Sequence, residues 1–115
     1  MWIKERVIYK LSKKIKLLER VEFYKSFFSA NDLVFDIGAN IGNRVDPFLK
    51  IGAKVVAVEP NPKLAKQLKK KYGSKVNVVQ KLIGEKNGVI DLYINNNDVL
   101  SSASKEFIEK TKLTN

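Results

Sequence analysis

Three short apolar runs, each closed by a polar or glycine-containing turn, set the rhythm of the middle of this chain. Residues 33–37, 54–59 and 75–80 are brief and rich in β-branched side chains, as buried strands are. Between the first two, Val45, Phe48 and Leu49 form an apolar helical face that stops at Gly52, a suitable C-cap residue. Pro47 constrains where that helix begins. Either it starts near Asn43, with Pro47 at the limit of the tolerated first turn, or it starts at Pro47 with Asp46 as N-cap. Between the second and third runs, Asn61 can cap a helix whose first residue is Pro62. Leu64, Leu68 and Tyr72 follow one turn apart, and Gly73 ends the segment. Strands that alternate with helices in this way pair in parallel through right-handed crossovers, which makes the fold class α/β.

The pattern differs on both flanks. Residues 2–28 read as one helix, because Ile3, Val7, Leu11, Ile15, Leu18, Val21, Tyr24 and Phe28 recur at helical spacing among many lysines. A basic amphipathic helix can contact a membrane surface or a partner helix. The plainer reading is that it covers the sheet edge or a ligand cleft. Beyond the third run, residues 78–83 and 89–94 are strand-like and flank a turn containing Asn87-Gly88, the signature of an antiparallel hairpin. Residues 95–98 read as a polar loop. Ser104 can cap a short last helix carrying Phe107 and Ile108, with a frayed tail from Thr111. The chain thus divides into an N-terminal helix, residues 1–30, and an α/β unit, residues 31–115.

Composition narrows the chemistry. The 115 residues suffice for one small domain, and 44% hydrophobic with 30% charged residues is a globular balance. Cysteine and histidine are both absent, which excludes disulfides, thiolate chemistry, His metal clusters and a Ser-His-Asp triad. No apolar run approaches the roughly 20 residues of a bilayer span, and lysines repeatedly interrupt the N-terminal segment, which does not read as a signal-peptide core, so a cytoplasmic protein is expected. The net charge of +10 suits anionic partners. Lysine carries most of it, however, whereas base and phosphate readout favours arginine forks. Nucleic acid is therefore not the expected partner.

The first strand runs into Asp36-Ile37-Gly38-Ala39-Asn40-Ile41-Gly42. Gly38 permits a sharp turn and leaves room for a ligand. A helix starting near Gly42 would aim free N–H groups back at that turn. Asp36 and Glu59 stand at the carboxyl ends of successive parallel strands, so both border one crevice. A carboxylate only accepts hydrogen bonds, which suits Glu59 to a ribose diol in either NAD or S-adenosylmethionine. Asp36 separates the two ligands. An acid beside a dinucleotide's pyrophosphate is unfavourable, and Asn40 replaces the second glycine of the dinucleotide fingerprint. S-adenosylmethionine brings an ammonium and a sulfonium there, both attracted by an acid. Asn40 can offer an amide to its carboxylate.

The motifs at 34–43 and 56–61 together resemble those of the FkbM-type S-adenosylmethionine-dependent methyltransferases. The likeness continues through Val78-Val79-Gln80-Lys81-Leu82-Ile83-Gly84, Gly88, Leu92-Tyr93-Ile94 and Leu100-Ser101-Ser102. It spans about residues 32 to 108. The resemblance implies a Rossmann-like class I methyltransferase fold and O-methyl transfer to a small-molecule or glycan acceptor. It implies S-adenosylmethionine as cofactor, with Asp36, Gly38 and Asn40 near the methionine part, Glu59 at the ribose and Gln80-Lys81 near the adenine. Ala39, Gly42 and Pro60 complete the implied lining. The family's fourth strand, with its I-K-I-D-V-E-G-like motif, has no counterpart before Asn115. The expected domain is therefore truncated after the third parallel strand and the hairpin. Its open edge then calls for self-association or a complementing chain. Three functional readings stay open: a methyltransferase, a non-enzymatic interaction module, and a small NAD-binding module.

Overall fold

The computed structural model describes residues 3–89, 91, 92 and 94. Its centre is a three-stranded parallel sheet in the order β1-β2-β3, with β1 at Leu33–Ile37, β2 at Lys54–Val58 and β3 at Val76–Val79. The expected βαβαβ unit is thus present. The register pairs Ile37 with Val58 and Val58 with Val79, so all three strands end at one level. That alignment brings the three following loops to a common edge.

Helix α1 spans Ile3–Tyr24, α2 Val45–Ile51 and α3 Pro62–Tyr72. In α3 the Asn61 side chain accepts from the Lys63 N–H at 3.0 Å, Pro62 opens the helix, and Gly73 follows it at φ 56°. The helix α2 takes neither of the starts read from Pro47. It begins at Val45, which leaves Pro47 at the third position, where its missing N–H loses no intrahelical bond. Asp46 does not cap it; its Oδ1 instead accepts from the Tyr72 hydroxyl at 2.6 Å.

Both crossover helices cover one face of the sheet. Phe48 and Val45 from α2, and Leu68 and Tyr72 from α3, pack on Val55, Ala57 and Val76, with Val34 and Val78 at the margin. The other face of β1 is bare among the described residues. Leu33, Phe35 and Ile37 alternate onto it and stay 60%, 58% and 51% exposed. Among the described residues the run at 33–37 is therefore covered on one face, not two.

The N-terminal helix is shorter than its apolar stripe, because the chain tightens after Tyr24 as the Phe27 N–H bonds Tyr24 O at 2.9 Å. It covers neither the sheet edge nor the cleft. Tyr24 and Phe28 instead clasp Phe48 edge-on, at ring separations of 4.8 and 5.2 Å, and Val21 is buried. Ile3, Val7, Ile8, Leu11 and Ile15 remain exposed. No helix among the described residues is long and apolar enough to cross a membrane. After Val79 the first arm of the expected hairpin is not formed. The Lys81 N–H turns back to Val79 O at 3.1 Å, and Leu82 and Ile83 lie exposed, without a strand partner among the described residues. Of the second arm, residues 89, 91, 92 and 94 are irregular, while residues 90 and 93, the serine loop and the last helix lie outside the described residues.

Candidate functional site

Where β1, β2 and β3 end together, Gly38-Ala39-Asn40, Glu59-Pro60-Asn61 and Gln80-Lys81 leave the sheet side by side. Asp36 and Glu59 are buried there, at 3% and 5% exposure, near enough that the charge of Glu59 acts on Asp36. The structure thus brings together the two acids that the strand pattern singles out. Gln80 and Lys81 are exposed at the far end of the same edge, and Pro60 is half-buried.

Glu59 holds the crevice together. Its Oε1 accepts from the Asn40 N–H at 2.9 Å, and its Oε2 from the Asn61 N–H at 2.8 Å. One carboxylate therefore ties the loop after β1 to the loop after β2. Each oxygen keeps a second lone pair as a further acceptor position. Asn40 sits at φ 54°, a left-handed conformation that asparagine tolerates better than most residues. Its place in the loop thus has a backbone reason as well as a chemical one.

Four N–H groups of the loop, those of Gly38, Ala39, Asn40 and Gly42, are turned to protein acceptors. Gly38 and Ala39 both donate to Val58 O, at 2.8 and 3.1 Å, Asn40 donates to Glu59, and Gly42 donates to Ala39 O at 2.9 Å. The helix α2 starts later than the expected position near Gly42, at Val45, and the N–H groups of Gly38, Ala39, Asn40 and Gly42 are already bonded. The two glycines also differ. A Cβ on Gly38, at φ 73°, would meet nothing within 4 Å, so this residue borders open space. A Cβ on Gly42, at φ 94°, would stand 2.5 Å from the Tyr72 hydroxyl. Gly42 is a packing residue pressed beneath Tyr72, and the Ala39 methyl belongs to the core. Burial and the nearby Asp46 carboxylate push the Tyr72 phenol far above its ordinary range, which keeps it a neutral donor.

Arg44 is the residue that motif reading missed. Its Nε and Nη2 both lie 2.8 Å from Asp36 Oδ1, and Nη2 also reaches Ile37 O at 3.2 Å and Gly38 O at 3.1 Å. Helical spacing gave no hint of this, since Arg44 precedes its helix and reaches back across the loop. Asp36 Oδ2 and Asn61 Nδ2 are buried without a hydrogen-bond partner. Unpaired buried polar atoms are costly to a fold, and both of these lie where the strands end.

Burial raises the Asp36 pKa above its ordinary 3.8, against the lowering effect of Arg44 and with a smaller push from Glu59. The folded chain therefore holds this proton more tightly than the unfolded chain. Its contribution to stability is full below the ordinary value and is lost as pH rises through the raised one. Asp36→Asn lacks that slope. In urea titrations from about pH 3 to about pH 7, the stability difference is expected to shift toward the variant through that window and then level off. A flat difference would mean that Asp36 carries no burial penalty.

Fold and site define an α/β protein with an acid-lined crevice at the carboxyl edge of a parallel sheet. No protein-family model matches the chain, and no curated protein matches it. Among solved structures it is similar to a TehB-like SAM-dependent methyltransferase from Corynebacterium glutamicum ATCC 13032 Kitasato, at 17% identity and a TM-score of 0.46. The match covers 52% of this chain, which spans 32% of that one. At this identity the likeness concerns the fold alone.

Proposed function

We propose that this chain binds S-adenosylmethionine in the crevice between the loops after β1, β2 and β3, and that it serves methyl transfer, to an acceptor oxygen in the manner of the FkbM-type family it resembles. One observation carries the reading. Asp36 is an almost fully buried acid with an unpartnered oxygen, beside a turn in which the N–H groups of Gly38, Ala39, Asn40 and Gly42 are already bonded. Such an edge attracts a cationic ligand and offers little to a pyrophosphate, which speaks against the NAD reading. Glu59 then faces the ribose, and Gln80 and Lys81 flank the base. S-adenosylmethionine supplies an activated methyl group, so the residues here bind and orient rather than act as acid or base.

Calorimetric titration tests this. S-adenosylhomocysteine is expected to bind, NADH to bind far more weakly, and Asp36→Asn to weaken the first about tenfold or more, about 1.4 kcal/mol. Tighter binding of NADH, or an asparagine variant that binds as well as the parent, would overturn the assignment.

A second reading, a non-enzymatic interaction module, is favoured by the bare apolar face of Leu33, Phe35 and Ile37. Exposed contiguous apolar surface of this kind marks association sites. On this reading the chain self-associates in sedimentation equilibrium and Phe35→Glu makes it monomeric. A parent chain that is monomeric at all accessible concentrations sinks it.

A further inference from the structure

We propose that Arg44 is a built-in occupant of the subsite for the ligand's ammonium group, and that ligand binding must displace it. The inference deepens the S-adenosylmethionine reading and rests on it.

Three oxygens converge on this guanidinium: Asp36 Oδ1, Ile37 O and Gly38 O, at 2.8 to 3.2 Å from Nη2. They are one carboxylate and two backbone carbonyls at the mouth of the crevice. A primary ammonium has three donors and no acceptor, so it is matched by the same three oxygens. The cluster can serve one cation at a time. The Arg44 side chain is 48% exposed while that of Asp36 is 2% exposed, so the arginine reaches in from solvent over a buried acid. It can swing back into water without dragging any core residue with it. Next to it, the position where a Gly38 side chain would stand is open. Asp36 Oδ2 stays unpartnered even with Arg44 in place, so the arginine satisfies the acid only in part.

Arg44 then acts on specificity and affinity together. Without ligand it neutralises Asp36 and closes the mouth. A ligand carrying an ammonium competes for the same oxygens, and its apparent affinity falls by the fraction of chains in which the arginine has swung out. A ligand without the ammonium has no quarrel with Arg44.

The test compares two probes on three chains. S-adenosylhomocysteine carries the ammonium; 5′-methylthioadenosine keeps the nucleoside and thioether but lacks the amino-acid end. Both are titrated calorimetrically into the parent, Arg44→Ala and Arg44→Gln. The glutamine variant keeps a donor beside Asp36 in case alanine does not fold, and circular dichroism checks each chain. S-adenosylhomocysteine is expected to bind the variants about tenfold more tightly, with 5′-methylthioadenosine unchanged. Weaker S-adenosylhomocysteine binding in the variants, or equal changes for both probes, overturns the inference. The first result would mean that Arg44 holds the ligand's carboxylate instead. If no chain binds either probe, the cofactor reading fails. Arg44 is then judged by its Nε–H resonance in 15N spectra with methylammonium as the added cation. Slow water exchange that methylammonium abolishes in the parent supports the subsite, and exchange indifferent to methylammonium overturns it.

Discussion

Replacing Gly42 by alanine is expected to destabilise the chain by about 3 kcal/mol, the sum of a left-handed backbone penalty and overpacking. The position lies at φ 94°, and the new methyl would meet the Tyr72 hydroxyl at 2.5 Å and the Tyr72 ring at 2.9 Å. Tyr72 cannot easily retreat. Its hydroxyl donates toward Gly42 O and Asp46 Oδ1, at 3.1 and 2.6 Å, and its ring lies in the core. Gly38→Ala carries the backbone penalty without the clash, and is expected to lose only about 1–2 kcal/mol. Chemical denaturation of the two variants separates these effects. Equal losses at both glycines would show that packing under Tyr72 contributes nothing.

Glu59→Gln is the second large effect expected, at about 2–4 kcal/mol, for a change of one oxygen to one nitrogen. Both carboxylate oxygens accept backbone N–H groups, from Asn40 and from Asn61. An amide has one acceptor oxygen, so one of those N–H groups would face another donor, and a charge-assisted bond would be lost with it. The bond pattern also links the two loops that form the crevice. Ligand affinity is therefore expected to fall together with stability, unlike in Asp36→Asn, where stability at neutral pH is retained. Urea unfolding beside S-adenosylhomocysteine titration makes the comparison. A glutamine variant as stable as the parent would remove Glu59 from its tying role.

The contrast between the two acids describes how the site is built. Glu59 is satisfied twice over and supports the fold. Asp36 is half satisfied, by an arginine that reaches in from solvent, and its burial works against stability at neutral pH. Groups that burden the fold in this way cluster at functional sites.

Much of this was legible in the residues. Asn61-Pro62 marked the start of α3 because a capping oxygen and a preset φ act locally. Leu64, Leu68 and Tyr72 marked its buried face because a helix repeats every turn. Local signals failed where neighbours decide. Pro47 left the start of α2 open between two positions, and the helix took a third, since Asp46 was drawn to Tyr72 instead of capping. The stripe on α1 was read as a cover for sheet or cleft, yet among the described residues its C-terminal end packs on Phe48 while Ile3 to Ile15 stay exposed.

The sequence alone determined the alternation of strand and helix, the parallel sheet and the two acids at successive strand ends, because period, caps and strand direction follow from neighbouring residues. Only the tertiary structure decided what those residues face. It placed Tyr72 on Gly42, turned the N–H groups of Gly38, Ala39 and Asn40 onto Val58 and Glu59, left one side of β1 bare among the described residues, and set Arg44 against Asp36. The first three depend on segments remote in the chain, and Arg44 reaches back eight residues across a loop without regular period, so no local pattern encodes them.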